Sequence, residues 1–182
     1  MRMLCGVLLV TTLVSPLSAQ GDSALDSLSL DTLTYGPAYT FTGTEDSLLL
    51  ARVFENTYKL GLSDAGKIRG PSVLCLAIGR RHSSDVPPSV LGVLAHHQPR
   101  VRPASACQSR TRGGLFTGLV DSASGESAWI LTVTSLAPRS GDTITVHSSH
   151  YVAPLWAAGW VCRLERREND WRVVRCSKTW VS

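Results

Sequence analysis

His147-Ser-Ser-His150 is the nearest approach to a metal motif in this sequence. On a β-strand, residues three apart point to opposite faces, so the two imidazoles cannot reach one ion without an intervening bulge. They are therefore read as separate histidines, and no metal or other cofactor is expected. His150 shares its strand face with Ile144, Val146 and Val152, which turns it inward. If the chain is an enzyme, His150 is the candidate catalytic residue. His96-His97 falls at the end of a predicted helix, where an imidazolium suits the C-terminal end of the macrodipole.

A nucleophile is harder to place. Gly125-Glu-Ser-Ala-Trp129 has the opening of a nucleophile elbow, but the closing glycine is missing and no strand precedes it. The sequence holds no H-E-x-x-H, no phosphate-cradling glycine loop and no C-x-x-C pair. Aspartates and glutamates fall mostly in turns, and no two are spaced as a general acid and base. Arg163, Arg166, Arg167, Arg172 and Arg175 are interleaved with Glu165, Glu168 and Asp170, the pattern of a solvated hairpin with cross-strand ion pairs.

Four cysteines, Cys75, Cys107, Cys162 and Cys176, follow a fifth at Cys5. Met1-Arg2-Met3, the apolar run Leu4–Val14 and Ser15–Gln20 form the three parts of a secretory signal cut after Ala19. The run is too short to span a bilayer, so no transmembrane anchor is expected after signal removal. Cys5 leaves with the signal. An even number of cysteines in an exported chain argues for disulfides, with three pairings open. Spacings of 32, 55 and 14 without a C-x2-C knuckle do not suit a zinc ribbon.

The elements that must carry these residues change character along the chain. Residues 21–46 are rich in Ser, Thr, Asp and Gly, and Leu25 and Leu28 suggest a short amphipathic helix. Leu48–Phe54 fits a helical face or a buried strand equally well. Leu60–Gly70, with three glycines, reads as loop. Val73-Leu-Cys-Leu-Ala-Ile78 is a compact strand between Pro71 and Gly79. Asp85 can cap a helix that holds Pro87 and Pro88 in its first turn, buries Val90, Leu91 and Leu94, and stops before Pro99.

From Gly113 the pattern turns to β. Strands are expected at Leu115–Val120, Trp129–Leu136, Thr143–Val152, Trp160–Arg166 and Trp171–Trp180, joined by short turns that favour antiparallel neighbours. All five tryptophans lie in this half, as a sheet's aromatic core would require. The fold class is α+β: an N-terminal helical and irregular part packed on a C-terminal antiparallel meander of about five strands. The expected division is a signal peptide over 1–19 and a single domain over 20–182.

Charge narrows the partners. Without Arg2 the 18 Lys+Arg fall to 17, against 14 Asp+Glu, a net charge of +3. That is too mild and too scattered for nucleic-acid binding. In the last hairpin, register decides what the cysteines do. A two-residue turn at Glu168-Asn169 sets Leu164 against Val173 and turns Cys162 and Cys176 to opposite faces. A three-residue turn, Glu168-Asn-Asp170, sets Cys162 directly across from Cys176, near disulfide reach.

The closing run Trp171-Arg-Val-Val-Arg-Cys176…Trp180-Val-Ser182 resembles the end of a family of small, uncharacterised exported bacterial proteins with the pattern W-R-V-x-x-C-x-x-x-W-[IV]-S. Leu74-Cys-Leu-Ala-Ile-Gly79 and Arg102-Pro-Ala-Ser-Ala-Cys107 match that family's upstream L-C-L-A-[VI]-G and R-P-A-S-x-C segments. The resemblance implies Cys75–Cys107 and Cys162–Cys176 as separate pairs; it carries no activity. The terminal hairpin is also similar to the end of NTF2-like α+β cones, which implies long helices at the start of the domain.

The expected function is that of an exported, disulfide-stabilised, non-enzymatic module, structural or ligand-binding, in the periplasm or outside the cell. The alternatives are a small exported hydrolase using His150 and an envelope protein-interaction module with an exposed apolar patch around Pro154-Leu-Trp156.

Overall fold

Leu49, Leu50, Val53 and Phe54 recur at the spacing of a helix face, and all four are buried on one side of α1, Thr44–Ala65. The computed structural model describes residues 44–66, 70–79, 82, 84–136, 141–153, 155–168 and 170–182. The proposed signal and most of the proposed 21–46 helix lie outside them. The ambiguity over Leu48–Phe54 resolves as helix. The loop expected over Leu60–Gly70 is corrected, because α1 continues to Ala65. The glycine that suggested a loop, Gly61, faces the sheet, and a Cβ there would lie 3.2 Å from Trp129 and 3.3 Å from His150. Helix propensity gives way to close packing. Gly66, at φ +58°, ends the helix in the left-handed conformation that glycine tolerates best.

The strands are β1 (Val73–Ile78), β2 (Ser84–Asp85), β3 (Arg100–Pro103), β4 (Cys107–Arg112), β5 (Leu115–Asp121), β6 (Ser127–Leu136), β7 (Thr143–Ala153), β8 (Trp156–Arg167) and β9 (Asp170–Val181), with a short helix α2 at Pro88–Val93. The class is α+β, but the sheet is larger than the expected meander and is mixed. Its main path runs β2-β1-β6-β7-β8-β9; β3 pairs with β1, and β5 joins β4 to β6. Consecutive strands β5 to β9 are antiparallel neighbours, as the short turns require. The additions are β1, parallel to both β6 and β3, and the β2 and β4 pairings.

β1 is buried on both faces, which explains its unbroken apolar run. Leu74 and Leu76 enter the core beneath α1, while Val73, Cys75 and Ala77 enter a second, smaller core with Leu119, Ala128 and Ile130. Val90 and Leu94 pack into the first core, as expected for the α2 segment. Asp85 does not cap α2. It lies in β2, where its carboxylate accepts bonds from the Ser105 amide and hydroxyl at 2.7 and 2.6 Å, and Pro87 occupies the cap position instead. Those bonds hold the Asp85 carboxyl below its usual range.

α1 is tied to the sheet by buried and exposed polar contacts. The fully buried Thr57 hydroxyl lies 2.8 Å from both the Val53 carbonyl and Ser148 Oγ, donating to the first and accepting from the second. Arg52 grips both carboxylate oxygens of Asp170 at the start of β9. Asn56 Nδ2 sits 3.3 Å from Cys176 Sγ and 3.6 Å from Cys162 Sγ.

Disulfides join Cys75 to Cys107 and Cys162 to Cys176. The β8–β9 hairpin reconciles the two registers that the sequence left open. Near the turn, Leu164 faces Val173 and Arg167 faces Asp170; beyond Arg163, Cys162 faces Cys176. Val174 is the extra residue between them, a β-bulge that shifts the register by one.

Candidate functional site

β7 delivers His150 to the α1 face of the sheet, between Trp129 of β6 and Trp160 of β8. The rings stack, with centroids 5.7 Å apart on the Trp129 side and 5.1 Å on the Trp160 side, and interplanar angles of 26° and 27°. Gly61 lies over this stack, so the imidazole is closed in from sheet and helix alike. His150 is 5 % exposed and its Nδ1 is buried without a hydrogen-bond partner. A buried N–H without a partner is rarer than an unpaired acceptor. That preference places the ring proton on Nε2 and leaves Nδ1 as the empty lone pair.

His150 also lines a cavity of about 180 Å³ that opens to solvent between the end of α1 and strands β7–β9. Val152, Ala157, Ala158 and Val181 give it apolar walls, and Leu155 and Trp156 stand at the turn joining β7 to β8. Ala158 is the residue paired with both His150 and Val181, and its small side chain leaves the space open. Asp64, from the last turn of α1, and Lys178, from β9, complete the lining as an ion pair, Nζ to Oδ1 at 2.6 Å. Leu155 is 82 % and Val181 67 % exposed. Pro154, the first residue of the expected apolar patch, lies outside the described residues; Leu155 and Trp156 are both exposed.

Electrostatics favours the neutral ring. Burial lowers the His150 pKa below 6.5; Asp64 opposes that shift and Lys178 adds to it. His82, against Thr132 Oγ1 and Tyr151, and His147, half-buried, are lowered by burial in the same way. A histidine with a depressed folded pKa gives stability that is complete above 6.5 and declines as pH falls below it, because the unfolded chain takes up the proton first. Asp85, Asp121 and Asp170 have carboxyls held below 3.8, so their contribution is lost only at still lower pH. Urea unfolding should therefore show stability falling between pH 7 and 5, before the carboxylates titrate. His150→Gln should flatten that slope. An equal slope in the variant would assign the effect to other groups.

The remaining sequence candidates do not come together. His147 and His150 occupy opposite faces of β7, and among the described residues no three or more His, Cys, Asp or Glu side chains cluster to hold a metal. Ser127, from the elbow-like segment, is an exposed residue opening β6 opposite Val120. His97 is beyond α2 rather than in its last turn; its Nδ1 lies 3.1 Å from the Pro99 carbonyl and its ring meets Tyr58 edge-on. In the arginine-rich hairpin, where Glu165 lies opposite Arg172 across the strands, the ion pairs described run along a strand or to the helix. Glu165 pairs with Arg163 and Arg167 along its own strand, and Asp170 pairs with Arg52 of the helix.

Trp129, Trp160 and Trp171 are core residues, but Trp156 and Trp180 are about half exposed, and Trp180 covers Gly159 on the far face. Asp64, Lys178 and Gly61 went unread in the sequence. The signal that marks Gly61 is the four-residue spacing Val53, Thr57, Gly61, Ala65, which continues one helix face. Compared with protein-family models, curated proteins and solved structures, the chain matches none.

Proposed function

We propose that this is an exported, non-enzymatic domain that binds a small ligand in the His150 cavity, acting in the periplasm or outside the cell. The observation that carries the reading is a nine-tenths buried imidazole, stacked between two tryptophans, that lines an open cavity without an internal hydrogen-bond partner. A ligand group reaching Nε2 would accept the proton assigned there, while Nδ1 stays enclosed beneath Gly61. Among the described residues none is hydrogen-bonded to the His150 ring, so no observation favours the hydrolase alternative over this reading. Export rests on the secretory pattern of residues 1–19 and is supported by two disulfides. Among the described residues no helix is long and apolar enough to cross a membrane. Membership in the exported bacterial family that the closing motif resembles belongs to the same proposal. The exposed Leu155 and Val181 favour a second reading, a protein-interaction module that uses the cavity rim.

The test is a chemical-shift titration with a panel of compact neutral, anionic, cationic and zwitterionic molecules. At least one class should shift the His150 ring together with Lys178 and Val181, and Ala158→Leu, which fills the cavity, should abolish the shift. A panel that leaves His150 unmoved, or binds the Ala158→Leu variant equally well, would sink the ligand-cavity reading.

A further inference from the structure

We propose that the cavity takes a small zwitterion with an apolar body, such as an apolar α-amino acid, its ammonium on Asp64 and its carboxylate on Lys178. This rests on the ligand-cavity reading above and names the class of occupant.

The wall of the cavity carries one anion and one cation in contact, Asp64 Oδ1 and Lys178 Nζ at 2.6 Å. They come from different elements, the last turn of α1 and the edge strand β9, and both side chains reach solvent, at 25 % and 44 % exposure. A solvent-exposed ion pair holds its partners weakly, so it opens at little cost when better partners arrive. The rest of the lining is apolar apart from His150 and Ser182. A carboxylate without an ammonium that engages Lys178 either takes it from Asp64 or shares its three donors with it, and both leave one negative charge uncompensated beside the apolar wall. An amine without a carboxylate strands Lys178 in the same way. A zwitterion replaces one ion pair by two and leaves no charge behind. Charge complementarity of this kind selects partners by penalising the unmatched ones.

Size and polarity agree with this occupant. About 180 Å³ is the liquid volume of roughly six waters, which suits a compact molecule of leucine's bulk. Val152, Ala158 and Val181 offer the apolar surface for its side chain. His150, neutral and with its proton on Nε2, adds a donor to the ligand carboxylate without adding net charge.

The experiment is calorimetric titration of the oxidised protein at pH 7 with L-leucine, 4-methylpentanoate and 3-methylbutylamine, the last two lacking the ammonium and the carboxylate respectively. Leucine should bind at least tenfold more tightly than either. Lys178→Met and Asp64→Asn, both surface changes compatible with folding, should each weaken leucine at least tenfold and erase its advantage over one analogue. Equal binding of an analogue, unchanged leucine affinity in Lys178→Met, or no leucine binding at all would each overturn the proposal. If leucine fails while another class of the panel still shifts His150, the cavity remains a ligand site and only its zwitterion assignment falls.

Discussion

Trp160→Ala is expected to destabilise the domain by about 3–5 kcal/mol, the range for deleting a large buried aromatic. Trp160 is buried in the core beneath α1 and stacks on His150. Its removal leaves both a void and an imidazole with one face open. The loss therefore has two components that separate experimentally. Urea unfolding at pH 7 measures the cavity cost. The pH dependence between 7 and 5 measures the imidazole, which should titrate closer to 6.5 once water reaches it, so the slope should shrink. A loss below about 1.5 kcal/mol would mean that neighbouring side chains collapse into the gap, as small-volume core changes allow. That outcome would mean that the stack on His150 does not depend on the Trp160 ring to hold its shape.

Breaking the Cys75–Cys107 disulfide should cost more than breaking Cys162–Cys176. The sequence separations are 32 and 14, for which loop-closure entropy gives roughly 4 and roughly 3 kcal/mol. The structural consequences differ as well. Cys162 and Cys176 are joined inside a hairpin that is already paired along its length. Cys107 instead begins β4, whose following residues Gln108–Arg112 are all exposed. Apart from the disulfide, β4 is held by its pairing with β5. The Cys75→Ala/Cys107→Ala variant should lose amide-exchange protection over β4 and β5 at free energies well below global unfolding, whereas Cys162→Ala/Cys176→Ala should keep it. Unchanged protection in the first variant, or a larger loss of stability in the second, would refute the ranking.

What the sequence made legible follows from where its physics is local. β7 is readable because it alternates against one buried face, β5 to β9 together because their turns are short, and β1, like β6, because an apolar run marks a strand covered on both sides. β3 and β4 left no such trace. Arg100, Arg102 and the run Gln108–Arg112 are exposed, so their strand character comes from backbone pairing rather than from side-chain burial. The parallel pairing of β1 with β6 joins residues over fifty positions apart, beyond the reach of any periodicity. The second half of α1 was misread because glycine's low helix propensity is visible locally, whereas the indole and imidazole that require it arrive from β6 and β7. The site divides in the same way. His150 could be placed inward by strand parity alone. Asp64 and Lys178 become partners only through the fold, across 114 positions.

The β8–β9 hairpin bears on how the protein behaves at high concentration. β9 ends the main strand path and, among the described residues, pairs only with β8, so its outer side offers free amides and carbonyls. Val174, Trp180 and Val181 are exposed on it, a combination that invites sheet-to-sheet growth between molecules. The register of β9 slips twice, at Val174 and again at Thr179. The strand is thereby cut into segments of at most four residues in phase, with Arg172, Arg175 and Lys178 spread among them. A second molecule would have to copy both slips and approach those cations to extend the sheet. The same irregularity that brings Cys162 opposite Cys176 thus keeps the edge from serving as a template for aggregation.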